Sequence, residues 1–337
     1  MKLNIEQIRG IACGAARVEE TDLGVAFFRF TKAQEEMYKE RSADFYMKTF
    51  SASGVTLRFK TDSKNLFIKG SVSKGSSRNY YSVDVKVNGK AIEHIDNFSD
   101  VELPQNYAGV KLELGDFEKN ISIGDGEKEV CIYLPWSNRL ILSEMLLDDG
   151  ATLSPVKYGK KLVAFGDSIT HGYDALRNYN KYITRLAETL GCEEYNKAIG
   201  GEVFIPSLSA LKEDFEPDII TVAYGTNDWS QKEASIYIRR CTEFYEALCA
   251  NYPNVPIFAI TPIWRLDSCE EKKMGAFENT EKFIREVCAS YKNVTVVNGL
   301  ELFPRDTDLF ADGRLHPNDE GFECYFENLY KKVKESL

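Results

Sequence analysis

The chain reads Lys161-Leu-Val-Ala-Phe-Gly-Asp-Ser-Ile-Thr170 at the point that decides its fold. The run begins as a short apolar segment, as in a buried strand, and continues directly into Gly-Asp-Ser168. A serine therefore follows the carboxyl end of a strand, which is where open α/β sheets bind their ligands. Thr170 stands where the nucleophile elbow of common α/β-hydrolases requires glycine, so that fold is disfavoured.

Strands and helices alternate from this point onward. Apolar residues recur at helical spacing after Tyr182 until Gly191 ends the helix. Such alternation implies parallel strands joined by right-handed crossovers. We therefore predict an α/β domain over residues 156–337. Its expected strands are 161–165, 218–223, 256–260 and 294–297, and its expected helices are 182–190, 232–251, 275–290 and 318–334.

The preceding region, residues 1–155, has a different pattern. Short segments alternate apolar and polar residues between turn signals, as in half-buried strands, and few long helical periods interrupt them. Asn88-Gly89 is a strong hairpin signal because both residues accept positive φ. We predict an all-β domain, a sandwich or jelly roll. Its candidate strands are 24–30, 55–59, 66–72, 80–87, 110–114 and 129–134.

Composition excludes several classes of protein. A formal net charge of -10 argues against a nucleic-acid partner. No apolar stretch is long enough to span a membrane, and the first residues mix charges into any possible signal-peptide core. The eight cysteines are scattered singly, which predicts neither a zinc site nor a disulfide framework but a reduced, cytoplasmic protein. Asp306, Asp308 and Asp312 lack the pattern of a calcium loop, so no metal or other cofactor is expected.

Ser168 needs a base to become a nucleophile, and histidine oriented by a third group is the usual one. The chain has three histidines. His94 lies in the β region, and His171 is too close to Ser168 along the chain for a reliable attack geometry, although it could line the pocket. His316 follows Asp312 on a loop before the last helix, so one loop offers both a base and its orienter. The alternative is that His316 is only an incidental neighbour of a helix start.

Two further loops offer donors for the oxyanion of a tetrahedral intermediate. The loop 196–201 ends in Gly200-Gly201, where backbone N–H groups can approach a ligand closely. The loop 225–228 presents the amide of Asn227 directly after the buried strand 218–223. Each loop alone also suits an ordinary turn. Their order and positions together indicate a catalytic site.

The four segments 166–168, 201, 225–228 and 312–317 together resemble the signature blocks of the SGNH or GDSL hydrolases. The resemblance covers residues 160–337 and implies a flavodoxin-like three-layer sandwich. It also implies an oxyanion hole made by the Ser168 N–H, the Gly201 N–H and the Asn227 side chain. The order of a β-sandwich followed by the hydrolase is similar to two-domain bacterial carbohydrate esterases that remove acetyl groups.

The last block departs from the family pattern. The family usually writes Asp-x-x-His, whereas here Gly313 occupies the usual acid position and Asp312 is one residue further from His316. Two orienters of His316 therefore remain open, which are the Asp312 carboxylate and a backbone carbonyl.

Specificity is less clear from the sequence. Trp264 and Arg265 follow a predicted strand, so Trp264 could stack on a sugar or, alternatively, pack against the N-terminal domain. The substrate-binding candidates adjoining the blocks and this strand are Asp167, His171, Trp229, Trp264 and Arg265.

The resulting hypothesis is a serine esterase acting on O-acetyl groups of an oligosaccharide or another small ester. One alternative keeps the chemistry but uses a lipid ester or thioester. Another is a carbohydrate-binding protein without activity. The sequence is compatible with a homo-oligomer, and no membrane partner is expected.

Overall fold

The computed structural model describes residues 1–337. Its first part consists of antiparallel sheets and three helices, α1 (Ile5–Ile11), α2 (Lys32–Arg41) and α3 (Ala43–Thr49). No helix of the structure combines the length and the apolar character needed to cross a lipid bilayer. The strands of the first part are β1 (Ala12–Cys13), β2 (Arg17–Thr21), β3 (Gly24–Phe28), β4 (Thr56–Thr61), β5 (Asn65–Lys74), β6 (Ser82–Val87), β7 (Lys90–Asp96), β8 (Asp116–Ser122), β9 (Lys128–Tyr133), β10 (Asn138–Leu147) and β11 (Ser154–Pro155).

Two antiparallel sheets pack face to face in this part of the chain. One has the order β1-β4-β9-β6-β7, with β11 paired to β4, and the other has the order β2-β3-β10-β5-β8. Phe59 and Val85 from the first sheet share one apolar core with Ile68 and Met145 from the second. The predicted β-sandwich is therefore confirmed.

The second part contains one parallel sheet of five strands in the order β13-β12-β14-β15-β16. This is the order of a flavodoxin-like doubly wound fold. The strands are β12 (Lys160–Gly166), β13 (Cys192–Asn196), β14 (Ile219–Ala223), β15 (Ile257–Ile260) and β16 (Val294–Val297). The helices are α4 (Ser168–His171), α5 (Tyr182–Thr189), α6 (Pro206–Ser209), α7 (Thr226–Gln231), α8 (Ala234–Asn251), α9 (Asn279–Cys288) and α10 (Asp319–Ser336).

Alternation along the strands divides the core of this domain into two layers. Val163 and Phe165 of β12 pack with residues of α8 and α9, whereas Leu162 and Ala164 pack with residues of α5 and α10. Because successive side chains of a strand point to opposite faces, helices cover both sides of the sheet. The predicted three-layer α/β fold is confirmed.

The largest differences from the sequence prediction lie in the first part. The helices α1, α2 and α3 were not expected, although Thr31 and Gln34 form a capping box at the start of α2. The strand predicted at residues 110–114 is wrong, because this segment is a loop and the strand follows it as β8. Val110 and Leu112 alternate as strand residues do, but they pack against the α/β core. The pattern was therefore correct about burial and wrong about secondary structure.

The sandwich and the α/β domain share buried surface. Phe30 and Tyr38 belong to the core on one face of the parallel sheet, and Tyr80 and Trp136 belong to the core on its other face. Arg29 is fully buried and donates hydrogen bonds to the carbonyl oxygens of Asn196, at 2.7 Å, and Ala198, at 3.1 Å. The first part of the chain is therefore held against the end of β13 and the loop that follows it.

Candidate active site

Ser168 begins the short helix α4, immediately beyond the end of β12. Asp167 caps this helix by accepting a hydrogen bond from the Ile169 N–H. Gly166 has no room for a side chain, since a Cβ there would lie 2.3 Å from Thr170 Oγ1. The tight turn fixes the direction of Ser168, which is 4% exposed.

His316 faces Ser168 across the carboxyl edge of the sheet. Its Nε2 lies 2.9 Å from Ser168 Oγ, although the two residues are 148 positions apart. The loop that carries it is closed by a bridge between Phe310 and Pro317, and the Ala311 N–H donates to the His316 carbonyl. A base is thus within hydrogen-bonding distance of the hydroxyl.

Asp312 lies on the other side of the imidazole. Its Oδ2 is 2.8 Å from His316 Nδ1, while its Oδ1 accepts the backbone N–H groups of Arg314, Leu315 and His316. Burial acts to raise the pKa of the Asp312 carboxyl, but the hydrogen bond and charge of His316 and the backbone donors outweigh it and hold this pKa well below its usual range. Of the two orienters that the sequence left open, the carboxylate is the one in contact. Asp312 is one residue further from His316 along the sequence than in the family pattern, and the turn capped by its Oδ1 brings the two side chains together.

The two loops predicted to supply oxyanion donors follow strands adjacent to β12. Gly201 has a φ of +88°, which favours glycine, and neither its N–H nor that of Ser168 donates to a protein acceptor. Asn227 donates one Nδ2 hydrogen to the Glu202 carbonyl at 2.9 Å. This bond orients the amide and leaves its second hydrogen for another acceptor.

The substrate contact predicted at Trp229 is wrong because its side chain is fully buried, whereas the contacts predicted at Asp167 and Arg265 stay predictions. Trp229 is 0% exposed, and its indole N–H donates to the Gly275 carbonyl. Asp167 is buried as the helix cap described above. Arg265 is also buried, and its guanidinium donates to Asp267 and to the Thr226 carbonyl and hydroxyl, so it holds the residue before Asn227.

His171 is likewise wrong as a lining residue. It is fully buried, with Nε2 2.8 Å from Ser51 Oγ and 3.0 Å from the Trp136 carbonyl, and Nδ1 accepts the Gly200 N–H at 3.2 Å. Burial, reinforced by nearby Arg29, lowers the pKa of this imidazole well below its ordinary value. A neutral imidazole can accept a hydrogen bond at Nδ1. By accepting the Gly200 N–H, His171 holds the backbone next to Gly201 in place.

Trp264 is the one predicted contact that keeps an exposed surface. It is half-buried and stacks on Phe310, with ring centroids 5.7 Å apart, and it packs against the core cluster to which both domains contribute. Phe310 begins the loop that carries His316. Trp264 therefore lies beside the catalytic loop, and its role as a sugar contact stays a prediction.

The sequence missed a second carboxylate at His316. Asp174 Oδ2 is 3.3 Å from His316 Nδ1, and Asp174 is held by Arg78 and Tyr80 of the sandwich. Asp174 could have been suspected, since it follows Ser168 within the same turn region. No sequence pattern links Arg78 and Tyr80 to this site, because they lie more than 90 residues earlier in another domain.

Buried carboxyl groups surround the donor loops. Burial raises the pKa of Asp167 to about 6, of Asp228 to about 7 and of Glu202 to about 8. Glu202 accepts hydrogen bonds from the hydroxyls of Tyr38, at 2.6 Å, and Tyr224, at 2.7 Å. The region behind the oxyanion loops thus holds less negative charge near neutral pH than its composition suggests.

Comparison with protein families is consistent with this arrangement of residues. Residues 164–324 match the model of the GDSL-like Lipase/Acylhydrolase family. This segment is a GDSL-like acylhydrolase domain. As such, it identifies the protein as a carboxylic ester hydrolase. The matched segment includes Ser168, Gly201, Asn227 and His316. No curated protein sequence matches the chain.

Solved structures match the sandwich and the GDSL-like domain together. A salicylyl-acyltransferase from a tetracycline biosynthetic pathway is 20% identical with a TM-score of 0.78, over 96% of this chain and 94% of that one. An acetyl xylan esterase from the rumen bacterium Butyrivibrio proteoclasticus is 15% identical with a TM-score of 0.66, over 100% and 98%. A family two carbohydrate esterase from Clostridium thermocellum is 14% identical with a TM-score of 0.66, over 96% and 98%. At these identities the likeness shows the shared two-domain fold.

Proposed function

We propose that the protein is a serine esterase that removes O-acetyl groups from carbohydrate, with Ser168 as nucleophile. The observation that carries the proposal is the line of contacts from Ser168 Oγ to His316 Nε2 and from His316 Nδ1 to Asp312. A hydroxyl, a base and an orienting acid in this geometry are the components of acyl transfer through a covalent intermediate.

The chemistry proceeds in two steps. His316 Nε2 takes the Ser168 proton as Oγ bonds to the ester carbonyl carbon, and the carbonyl electron pair moves to oxygen. The Ser168 N–H, the Gly201 N–H and the Asn227 amide receive this oxyanion. Collapse of the intermediate breaks the bond to the sugar oxygen, which leaves with the proton from His316. Water then attacks the acyl-enzyme in the same way, releasing acetate and restoring Ser168.

A small acyl group is favoured by the burial of the nucleophile. Only 4% of Ser168 is exposed, so an ester has a narrow approach to Oγ. The half-exposed Trp264, stacked on Phe310 beside the catalytic loop, offers an aromatic face to a sugar ring. The fold shared with an acetyl xylan esterase and a family two carbohydrate esterase supports the same substrate class.

The test combines acyl chain length with the nucleophile. p-Nitrophenyl esters from acetate to decanoate, and acetylated xylo-oligosaccharides, are assayed with the wild type and Ser168→Ala. We expect preference for acetate, acetate release from the oligosaccharide, and background rates for the variant. Preference for decanoate would favour a lipid ester or thioester instead. Absence of turnover on every ester would favour a binding protein, and turnover by Ser168→Ala would refute the proposal.

Acyl transfer to an acceptor other than water is a second candidate function. The observation in its favour is the fold shared over 96% of the chain with a salicylyl-acyltransferase. The same acyl-enzyme would form, and only the second nucleophile would differ. Adding an alcohol or sugar acceptor to the acetate assay distinguishes the two, because an acyltransferase would make acetylated acceptor at the expense of free acetate.

We also infer a reducing compartment such as the cytoplasm. All eight cysteines are unpaired, and six of them are buried. Free thiols of this kind are maintained where disulfides do not form.

A further inference from the structure

Asp174 connects the nucleophile to the base. It follows the turn in which the Gly172 and Tyr173 N–H groups donate to the Ser168 carbonyl, at 3.1 and 2.9 Å. Its backbone has a φ of +74°, which is uncommon for a residue other than glycine. The side chain is 0% exposed, with Oδ2 3.3 Å from His316 Nδ1. Asp174 is thus part of the segment that carries Ser168, yet it contacts the imidazole.

Asp312 also contacts the imidazole, but it belongs to a different segment of the chain from Asp174. Asp312 and His316 lie on one loop, and every hydrogen bond of the Asp312 carboxylate stays within residues 312–316. Such bonds fix the imidazole relative to its own loop but not relative to Ser168. Asp174 supplies the missing constraint, since it belongs to the Ser168 turn.

Two carboxylates beside one imidazole nitrogen would repel each other without compensation. Arg78 of the sandwich supplies the compensating positive charge, with Nε 2.5 Å from Asp174 Oδ1 and Nη2 2.8 Å from Oδ2. Tyr80 also donates its hydroxyl to Asp174 Oδ1. The planar guanidinium is further packed over the Tyr173 ring, 5.0 Å from its centroid. The N-terminal domain therefore places a positive charge and a hydroxyl donor against Asp174 and holds its side chain in place.

We propose that Asp174 is a positioning residue for His316, and that Arg78 and Tyr80 make the N-terminal sandwich an integral part of the catalytic unit. The proposal rests on the proposed function above. When His316 takes the Ser168 proton, the imidazolium gains the negative charge of Asp174 at 3.3 Å in addition to its bond with Asp312. The charged groups facing His316 are then Asp312, Asp174 with its partner Arg78, and Asp167.

The decisive variants change charge while keeping shape. Asp174→Asn suits the positive φ, which asparagine tolerates. It should lower kcat about tenfold with KM little changed, because a transition-state contact is weakened. It should also move the acid limb of the kcat/KM profile to lower pH, since a negative charge that favours the imidazolium is gone. Arg78→Gln should move that limb to higher pH, because it removes a positive charge from the same site.

Two further variants separate this role from ordinary stability. Asp96→Asn breaks another interdomain ion pair, with Arg177 Nη1 at 2.6 Å, away from His316, and should keep wild-type kcat and pH profile. Tyr80→Phe keeps the ring in the core and removes only the hydroxyl. It should move the acid limb in the same direction as Arg78→Gln, which tests the proposal even where a charge variant fails to fold.

The outcomes are distinguishable from those of the proposed function. Opposite shifts for Asp174→Asn and Arg78→Gln, with an unaffected Asp96→Asn, support the proposal. Three results would overturn it: wild-type kinetics of Asp174→Asn, acid limbs of the two pH profiles that move in the same direction, or a loss of kcat in Asp96→Asn equal to that in Asp174→Asn. In each case an inactive Ser168→Ala would leave the esterase mechanism intact. Activity that required an added divalent cation would also overturn it, since Asp174, Asp312 and His316 would then be ligands. An active Ser168→Ala would instead refute the proposed function itself.

Discussion

His316 Nε2 lies 2.9 Å from Ser168 Oγ, although β13 to β16 and every helix between them separate the two residues along the chain. Parallel strands end at one edge of the sheet, so loops distant in sequence meet there. Ser168 directly follows the interior strand β12, and His316 precedes α10, which packs on the same sheet. The proposed mechanism therefore depends on the whole sheet, and its parts can be tested one at a time.

Asp312→Asn tests the orienting carboxylate. The amide oxygen of asparagine can still accept the three backbone N–H groups that cap the turn, so the loop should keep its shape. The nitrogen, however, cannot accept the Nδ1 proton of His316. We expect kcat to fall about 10³-fold or more with an unchanged melting temperature.

Asp312→Ala is the matched comparison for this loop. It removes the cap as well as the charge, and should lower both kcat and the melting temperature. Equal activity of the asparagine variant and the wild type would assign the orienting role to another group.

Asn227→Ala tests the oxyanion hole. Loss of one donor should cost about 3 kcal/mol of transition-state stabilisation, seen as a fall in kcat of about 10²-fold with little change in KM. Ser230→Ala is the control in the same helix, because the Ser230 hydroxyl donates to the Asn227 carbonyl at 3.1 Å without contacting the site. A similar loss in both variants would indicate distortion of α7 instead of a missing donor.

Trp264→Ala tests the proposed sugar contact. If the exposed face of this ring stacks on carbohydrate, KM for an acetylated oligosaccharide should rise about tenfold, while p-nitrophenyl acetate should be hydrolysed normally. Trp264→Phe keeps an aromatic face against Phe310 and should lose less. Equal effects on both substrates would mean that Trp264 only supports the catalytic loop through Phe310.

The buried carboxyl of Glu202 should make the free energy of unfolding depend on pH. Burial raises the pKa of its carboxyl to about 8 in the folded protein, against about 4.3 for an ordinary glutamate. The folded state therefore binds the extra proton between these values, and the stabilisation present below about pH 4 is lost as the pH rises to about 8. Glu202→Gln has no such proton to lose.

Urea unfolding at about pH 5 and pH 8 checks this sign. The wild type should lose more free energy of unfolding over that interval than Glu202→Gln, by on the order of a few kcal/mol. Glu320→Gln, at an exposed glutamate, should follow the wild type. Parallel pH dependences of all three proteins would contradict the raised pKa.

Patterns along the sequence predicted the sheet better than they predicted side-chain direction. Four of the five strands of the α/β domain were found because each is a short apolar run, whereas β13, which contains two glutamates, was not predicted. Ser168, Asn227 and His316 were found because each follows such a run or precedes a helix. Trp229 was misassigned because chain proximity to Asn227 says nothing about orientation. Side chains two residues apart on a helix point to nearly opposite sides, so Asn227 keeps an exposed surface while Trp229 enters the core.

No sequence pattern predicted the contacts between the two domains. Arg78, Tyr80 and Arg29 each lie in the sandwich and meet groups of the α/β domain that are 94 to 169 residues away. Neither periodicity nor motif spacing relates positions so far apart. The same limit explains why His171 was expected in the pocket, since its anchor Ser51 comes from the other domain.

Covalent labelling of the nucleophile tests the central claim most directly. The protein is treated with a phosphonate ester that reacts with activated serine, and the mass of the intact chain and of its peptides is measured. We predict one equivalent of label on Ser168, none on Ser168→Ala, and much slower labelling of His316→Asn. Label on a different residue, or continued ester hydrolysis by a wild-type protein that takes up no label at Ser168, would contradict the account.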